Sequence, residues 1–157
     1  MRPRLFVFGL GYVGVRVAEL ALMRGFDISG SIRLGGDASA RLAQLELAGI
    51  SASTFDLDES YSGLTPAGLL ALRQATHVLA TVPPVADLDR DPLLALHNKV
   101  LVAAAAAGQL RWAGYLSTTS VYGDHAGADI GLFGSCRKNT GDPFPKWLLM
   151  HLHSLYE

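Results

Sequence analysis

Three glycines near the start of the chain, Gly9, Gly11 and Gly14, fit the pattern G-x-G-x-x-G. They follow the apolar run Leu5 to Phe8 and precede residues with helical spacing, so they lie where a buried strand turns into a helix. Gly9 permits a tight turn, Gly11 lets the backbone approach a pyrophosphate, and Gly14 lets the helix pack closely on the strand. Free amides at the helix start then hold phosphate, aided by the helix dipole. In this context the motif predicts dinucleotide binding, and the alternative is a glycine-rich turn without a ligand.

The end of the second predicted strand indicates which dinucleotide is bound. An NAD site needs an acid about twenty residues beyond the glycines, yet the strand ends Ser29-Gly30-Ser31-Ile32-Arg33, and Asp27 lies too early in it. A carboxylate would repel a 2′-phosphate, whereas Arg33 can pair with it and Ser31 can donate a hydrogen bond. These residues favour NADP, with NAD as the alternative. Arg33 as a solvated loop cation is the competing interpretation.

Other cofactor contacts are expected at strand ends, because ligands bind at the carboxyl ends of parallel strands. Asp56 and Leu57 follow the third strand; Asp56 is a candidate acceptor for the adenine amino group, and a loop cap is its alternative role. Thr81, Val82 and Pro83 end the fourth strand and are expected beside the ribose. The complete predicted set of cofactor-binding residues is Gly9, Leu10, Gly11, Tyr12, Val13, Gly14, Ser31, Arg33, Asp56, Leu57, Thr81, Val82 and Pro83.

A second motif, Leu-Ser-Thr-Thr-Ser-Val-Tyr-Gly from Leu116 to Gly123, ends the fifth predicted strand. Together with the glycine turn it resembles the extended and atypical short-chain dehydrogenase/reductases, the NAD-dependent epimerase/dehydratase family. The Pro83-Pro84 turn is similar to that of bacterial atypical members, and the resemblance covers roughly residues 3 to 128. It implies NAD(P)-dependent redox chemistry on a small hydroxyl or carbonyl compound, often a sugar nucleotide. It also implies that the catalytic hydroxyl of Thr118 hydrogen-bonds the reacting oxygen.

The Tyr-x-x-x-Lys pair that this resemblance implies is missing, since no lysine stands four positions beyond Tyr115, Tyr122 or Tyr156. Near the expected place stand Pro143 and Pro145, which oppose a helix. Two interpretations therefore stay open. The family resemblance favours an oxidoreductase or epimerase, and the alternative is a catalytically inactive cofactor-binding module. Nucleotide-sugar 6-dehydrogenases have a similar glycine-rich opening, but they need an acid at the second strand tip.

The elements that position these residues alternate regularly from residue 4 to about residue 117. Predicted strands cover residues 5–8, 26–33, 50–55, 77–82 and 112–117, and predicted helices lie between them. The second helix is predicted from Asp37 to Ala48, and cap signals at Thr65-Pro66 and Asp91-Pro92 open the last two helices. This order predicts an α/β fold: a Rossmann-type, doubly wound parallel sheet of about five strands with helices on both faces. We expect a NAD(P)-binding Rossmann domain over residues 1–128 and a divergent C-terminal tail over residues 129–157.

Composition narrows the function classes. The chain has 157 residues, 50% of them hydrophobic, with a net charge of -1, which excludes a disordered chain and predicts no nucleic-acid partner. The single Cys136 leaves no disulfide framework and favours a reducing, cytoplasmic location. The longest apolar run, residues 100–107, is too short to span a bilayer.

Remaining polar residues yield fewer predictions. His151 and His153 would face apart on a helix, so we expect no metal site. Three consecutive polar residues, His97, Asn98 and Lys99, lie in the fourth predicted helix. We expect Lys99 to be exposed to water, and one polar residue of this group can face the cofactor cleft. The expected partner is a small-molecule substrate, and a homodimer stays open.

Overall fold

The computed structural model describes residues 2–57, 62–82 and 92–116 of the chain. Its strands are β1 (Arg4–Phe8), β2 (Asp27–Arg33), β3 (Ser51–Asp56), β4 (Gly63–Leu64), β5 (His77–Ala80) and β6 (Trp112–Tyr115). Its helices are α1 (Tyr12–Met23), α2 (Ala38–Leu47), α3 (Pro66–Gln74) and α4 (Pro92–Ala106). The strands form one sheet in the order β4-β3-β2-β1-β5-β6, in which every pair except β3–β4 is parallel.

The central strand β1 explains why helices cover both faces of this sheet. Its residues are apolar on both sides, and successive side chains point to opposite faces. Leu5 and Val7 join one buried cluster, to which α1 and α2 contribute, whereas Phe6 and Phe8 join the other, to which α3 and α4 contribute. The prediction of a Rossmann-like, doubly wound α/β fold is confirmed.

Local signals also placed the helices correctly. Thr65 is the N-cap of α3, and its hydroxyl oxygen accepts a hydrogen bond from the backbone amide of Gly68 at 3.2 Å. Pro66 follows as the first helical residue, where a missing amide costs nothing. In the described part of the chain, none of the helices is both long and apolar enough to cross a bilayer.

The structure differs from the prediction in two respects. The two-residue strand β4 was not predicted; it pairs antiparallel with β3, Phe55 opposite Leu64 and Asp56 opposite Gly63. Strand β5 ends at Ala80 and strand β6 at Tyr115, each two residues earlier than expected. The predicted tail, residues 129–157, lies outside the described residues.

Candidate functional site

The glycine-rich turn connects β1 directly to α1. Gly9 has φ +86°, a conformation that glycine adopts without strain, and its carbonyl accepts a hydrogen bond from the Gly11 amide at 2.8 Å. The α1 ladder begins with the Val15 amide donating to the Gly11 carbonyl at 2.9 Å. Gly11 is the N-cap residue of α1 and has no side chain that could accept a hydrogen bond. The first amides of the helix therefore have no side-chain cap.

The three glycines of the motif differ in what a side chain would meet. A Cβ on Gly9 would lie 2.7 Å from the Thr81 hydroxyl oxygen, and a Cβ on Gly14 would overlap the Gly9 carbonyl oxygen. A Cβ on Gly11, by contrast, would meet no protein atom within 4 Å, and its φ of -79° is open to any residue. The fold itself therefore requires glycine at the first and third positions but not at the second.

Side chains from three neighbouring elements hold the turn in place. The Thr81 hydroxyl, just after β5, lies 3.0 Å from the Phe8 carbonyl oxygen and 2.6 Å from that of Gly9. Ser31 in β2 is fully buried, and its hydroxyl oxygen accepts a hydrogen bond from the Gly9 amide at 3.3 Å. The Arg41 guanidinium of α2 donates to the Leu10 carbonyl at 2.7 Å. The backbone of the turn is thus fixed before any ligand arrives.

A cavity of about 570 Å³ lies against this turn, across the carboxyl ends of β5, β1, β2 and β3. Its wall combines glycine backbone with the apolar residues Phe55, Leu57 and Val82. Three exposed charged residues also line it, the cations Arg33 and Arg41 and the carboxylate Asp37. The residues that line it are Gly9, Leu10, Gly11, Ser31, Ile32, Arg33, Leu34, Gly35, Asp37, Ala38, Arg41, Phe55, Leu57, Thr81 and Val82. Its chemistry suits a ligand with an apolar ring and anionic groups.

The structure brings together eight of the residues predicted from the sequence: Gly9, Leu10, Gly11, Ser31, Arg33, Leu57, Thr81 and Val82 line the cavity. Tyr12, 94% exposed, and Val13, 49% exposed, are not among the lining residues, while Gly14 packs against Gly9. Asp56 does not line the cavity, and its carboxylate accepts a hydrogen bond from the Ser62 hydroxyl at 3.0 Å. This contact favours the loop-cap alternative for Asp56. Pro83 and Thr118 lie outside the described residues.

Several residues that line the cavity were not predicted from the sequence, and two of them, Arg41 and Asp37, are charged. Arg41 could have been found. A signal for it existed, because a cation near the start of a helix opposes the helix dipole and needs another reason to be there. Phe55 was assigned to a strand without a role in the site. Among the described residues, no cluster of three or more His, Cys, Asp or Glu side chains could hold a metal ion.

Comparison with known proteins finds the fold but no family. No protein-family model and no curated protein matches the chain. A functionally unknown conserved protein from Silicibacter pomeroyi DSS matches with a TM-score of 0.56 and 29% identity, over 78% of this chain and 38% of that one. A structure designated SsCR matches with a TM-score of 0.53 and 22% identity, over 78% and 39% of the two chains.

A Mycobacterium tuberculosis shikimate dehydrogenase matches with a TM-score of only 0.34 and 16% identity, over 71% of this chain and 45% of that one, which is too distant to carry an argument. The chain spans about two fifths of the length of the first two structures. The likenesses to the first two structures agree with the Rossmann-like architecture that the strand order defines.

Proposed function

We propose that this chain is the NADP-binding part of an oxidoreductase of the short-chain dehydrogenase/reductase type. The observation that carries the proposal is the environment of Gly11. Nothing in the described protein requires glycine at this position, yet the residue lies on the wall of the large cavity, beside uncapped helix amides. A phosphate group that approaches the backbone closely gives the missing reason for glycine.

The other residues of the cavity wall are compatible with one orientation of the whole dinucleotide. The amides after Gly9 would hold the pyrophosphate, and Arg33, exposed at the end of β2, would pair with a 2′-phosphate. Phe55 and Leu57 line the cavity next to this arginine in the sheet order and make this part of the wall apolar, which suits an aromatic base. The preference for NADP over NAD rests on Arg33 and on the lack of an acid at the tip of β2.

When bound, NADP would supply hydride transfer at its nicotinamide ring. The contribution of this chain is to bind and orient the nucleotide, with Thr81 fixing the turn at the β5 side. The substrate would be a small hydroxyl or carbonyl compound whose reacting oxygen is held by Thr118. The missing Tyr-x-x-x-Lys pair favours a second candidate, a cofactor-binding module without catalysis.

Binding calorimetry with NADP⁺ and NAD⁺ tests the cofactor assignment. We expect NADP⁺ to bind more tightly, and Arg33→Ala to weaken NADP⁺ by about tenfold to a hundredfold with little change for NAD⁺, as expected for charge-assisted hydrogen bonds. Equal dissociation constants for both nucleotides, or unchanged NADP⁺ affinity in Arg33→Ala, would contradict the assignment.

A matched pair of glycine variants tests the role of Gly11. Gly11→Ala and Gly36→Ala both place a methyl group where no protein atom lies within 4 Å, but Gly36 does not line the cavity. We expect both variants to melt like the wild type, and Gly11→Ala alone to lose NADP⁺ affinity. Equal affinity of the two variants would remove the main support for a phosphate at this turn.

Thermal melting and turnover distinguish the enzyme from the module. NADP⁺ at a hundred times its dissociation constant stabilises a folded protein by about 2.7 kcal/mol if the unfolded chain does not bind. Such stabilisation with turnover of a carbonyl panel, lost in Thr118→Ala, would support the enzyme. Stabilisation without turnover would support the module.

A further inference from the structure

His97 lies in α4 and is buried beneath the carboxyl end of the sheet. Its side chain is 6% exposed, one of two buried polar side chains in the described residues, the other being Ser31. The ring packs on two phenylalanines, with centroids 6.0 Å from Phe8 and 5.7 Å from Phe55. A polar ring in this environment needs a hydrogen-bond partner to offset its desolvation.

That partner is the backbone of β4. The Leu64 amide donates a hydrogen bond to Nε2 of His97 at 3.3 Å, in a buried contact. The preceding Gly63 has φ +74°, and a Cβ there would lie 2.8 Å from the same nitrogen. The local sequence therefore fits the close approach of the β4 backbone to the imidazole.

The direction of this hydrogen bond fixes the protonation state of the ring. An amide can only donate, so Nε2 must be unprotonated and the imidazole neutral, with its hydrogen on Nδ1. A protonated imidazole would present an N–H group to the Leu64 N–H group, and the contact would be lost. Burial also lowers the pKa of His97 below its ordinary value of 6.5.

This contact is linked to the cavity through β3. Leu64 and Gly63 pair with Phe55 and Asp56. The Phe55 ring packs near the imidazole, and the same residue lines the cavity. Since β4 has only two residues, its pairing with β3 is short. The hydrogen bond from the Leu64 amide to His97 attaches β4 to α4 as well. Loss of that contact would loosen the edge of the sheet that carries Phe55.

We propose that neutral His97 is a positioning residue for the nucleotide cavity, which holds β4 and the Phe55 wall in place, and that protonation of His97 releases them. This inference rests on the proposed function for its effect on nucleotide affinity. The contact between α4 and β4 does not depend on any ligand.

The charged residues on the elements around His97 do not take part in its contact with Leu64. In the described part of the chain, β3 carries Asp56, whose carboxylate accepts a hydrogen bond from Ser62, and α3, which packs on α4, carries the exposed Arg73. On α4 itself Lys99 is exposed, and the basic residue of β1, Arg4, lies at the other end of that strand. Desolvation is the cause of the lowered pKa.

The first test needs no nucleotide and no variant. Hydrogen exchange of the Leu64 amide, expressed as a protection factor, is measured at pH 7.5 and at the lowest pH at which the Val7 amide of the central strand β1, the internal reference for global unfolding, stays protected. We expect protection of Leu64 to fall at acidic pH while that of Val7 persists. Equal protection of Leu64 at both pH values would overturn the proposal.

The second test measures NADP⁺ affinity across the same pH range in the wild type and in His97→Gln, whose amide oxygen can accept from Leu64 without titrating. Comparison at each pH cancels titration of the ligand's own phosphate, which has a pKa of about 6. We expect similar affinities at pH 7.5. Below the pKa of His97, the wild type should weaken relative to His97→Gln by up to about tenfold per pH unit.

Two further variants complete the design. His97→Leu retains an apolar side chain without an acceptor, and should weaken binding at every pH without adding pH dependence. His77→Gln changes a histidine at the opposite end of the sheet, and should keep the wild-type pH dependence. A His97→Gln protein that weakens with acid as the wild type does would overturn the proposal. Lack of NADP⁺ binding at pH 7.5 would instead refute the proposed function, while Leu64 exchange still tests the histidine contact.

Discussion

The two ends of β1 are joined to the neighbouring strand β5 by threonines, but the two ends differ in what surrounds them. At the amino end, the Thr76 hydroxyl accepts from the Arg4 amide at 2.9 Å and lies 3.1 Å from the Arg4 carbonyl oxygen. At the carboxyl end, the Thr81 hydroxyl lies against the carbonyl oxygens of Phe8 and Gly9. Hydroxyl contacts alone therefore do not distinguish a ligand site from a structural strand end.

The surroundings of the two threonines make the difference. Near the amino end, the rings of Phe26, His77 and Trp112 pack on one another, with centroid separations of 5.2 Å and 6.3 Å, around a mostly apolar groove of about 300 Å³. At the carboxyl end, glycine backbone and two arginines surround about 570 Å³. Aromatic rings fill the space at the amino ends of these strands, whereas the glycine backbone that follows β1 leaves a cavity open at the carboxyl end.

Among the variants that test this difference between the two ends of β1, Gly14→Ala should lower the free energy of unfolding most. The added Cβ would overlap the Gly9 carbonyl oxygen, so either α1 or the turn must move. We expect a loss of about 2 to 3 kcal/mol in the free energy of unfolding, as for an overpacked core. Urea denaturation measures this loss, with Gly36→Ala as the control that should stay within about 0.5 kcal/mol of the wild type. Equal stability of both variants would contradict the close packing of turn and helix.

The paired variants Thr81→Val and Thr76→Val separate structural from ligand-binding hydroxyl contacts. Each removes a hydroxyl that bonds the β1 backbone and should cost about 1 to 2 kcal/mol of unfolding free energy. Only Thr81→Val should also weaken NADP⁺ binding, because Thr81 fixes the turn that lines the cavity. Calorimetry on both proteins checks this, and equal affinities would show that the turn holds its shape without the hydroxyl.

Much of this fold could be predicted from local signals in the sequence. The run Leu5 to Phe8 is apolar without alternation, which identifies a strand buried on both faces. The Thr65-Pro66 pair identifies a helix start because it combines a cap acceptor with a residue that lacks an amide. The glycine spacing identified the turn, since Gly9 and Gly14 each lie where a side chain would meet neighbouring atoms.

The parts that sequence reasoning missed depend on contacts between distant residues. Two residues, Gly63 and Leu64, are too few to show the period of a strand, and their pairing depends on β3. Helix α4 is apolar around much of its circumference, so its pattern does not show whether His97, Asn98 or Lys99 faces inward. The structure shows that His97 is buried and that Asn98 and Lys99 are exposed.

Acid should destabilise the protein through both ends of the sheet. The pKa of His97 is lowered by burial, and that of His77 is lowered by burial and by the charge of Arg111. Because the unfolded chain then binds protons first, the stability from each neutral ring is complete above about pH 6.5 and is lost as pH falls through the lower folded pKa.

Denaturant titrations between pH 7.5 and pH 5 measure this effect. The slope for each histidine should stay below that of one proton, about 1.4 kcal/mol per pH unit. His77→Gln and His97→Gln should each reduce the slope, but only His97→Gln should alter the pH dependence of NADP⁺ binding. An unchanged slope in both variants would mean that other groups cause the acid sensitivity.

Arg41→Met should have the smallest effect on stability, although Arg41 touches the turn. Its guanidinium donates to the Leu10 carbonyl at 2.7 Å, but the side chain is exposed, so water can replace the lost donor at a cost of about 0.5 kcal/mol. Arg16→Met removes a similarly exposed arginine that pairs with Glu19 at 3.0 Å and provides the matched control. If the carboxyl end of β1 is fixed mainly by Thr81 and Ser31, both arginine variants should unfold at nearly the same urea concentration. A much larger loss in Arg41→Met would show that the turn depends on α2 as strongly as on the strands beside it.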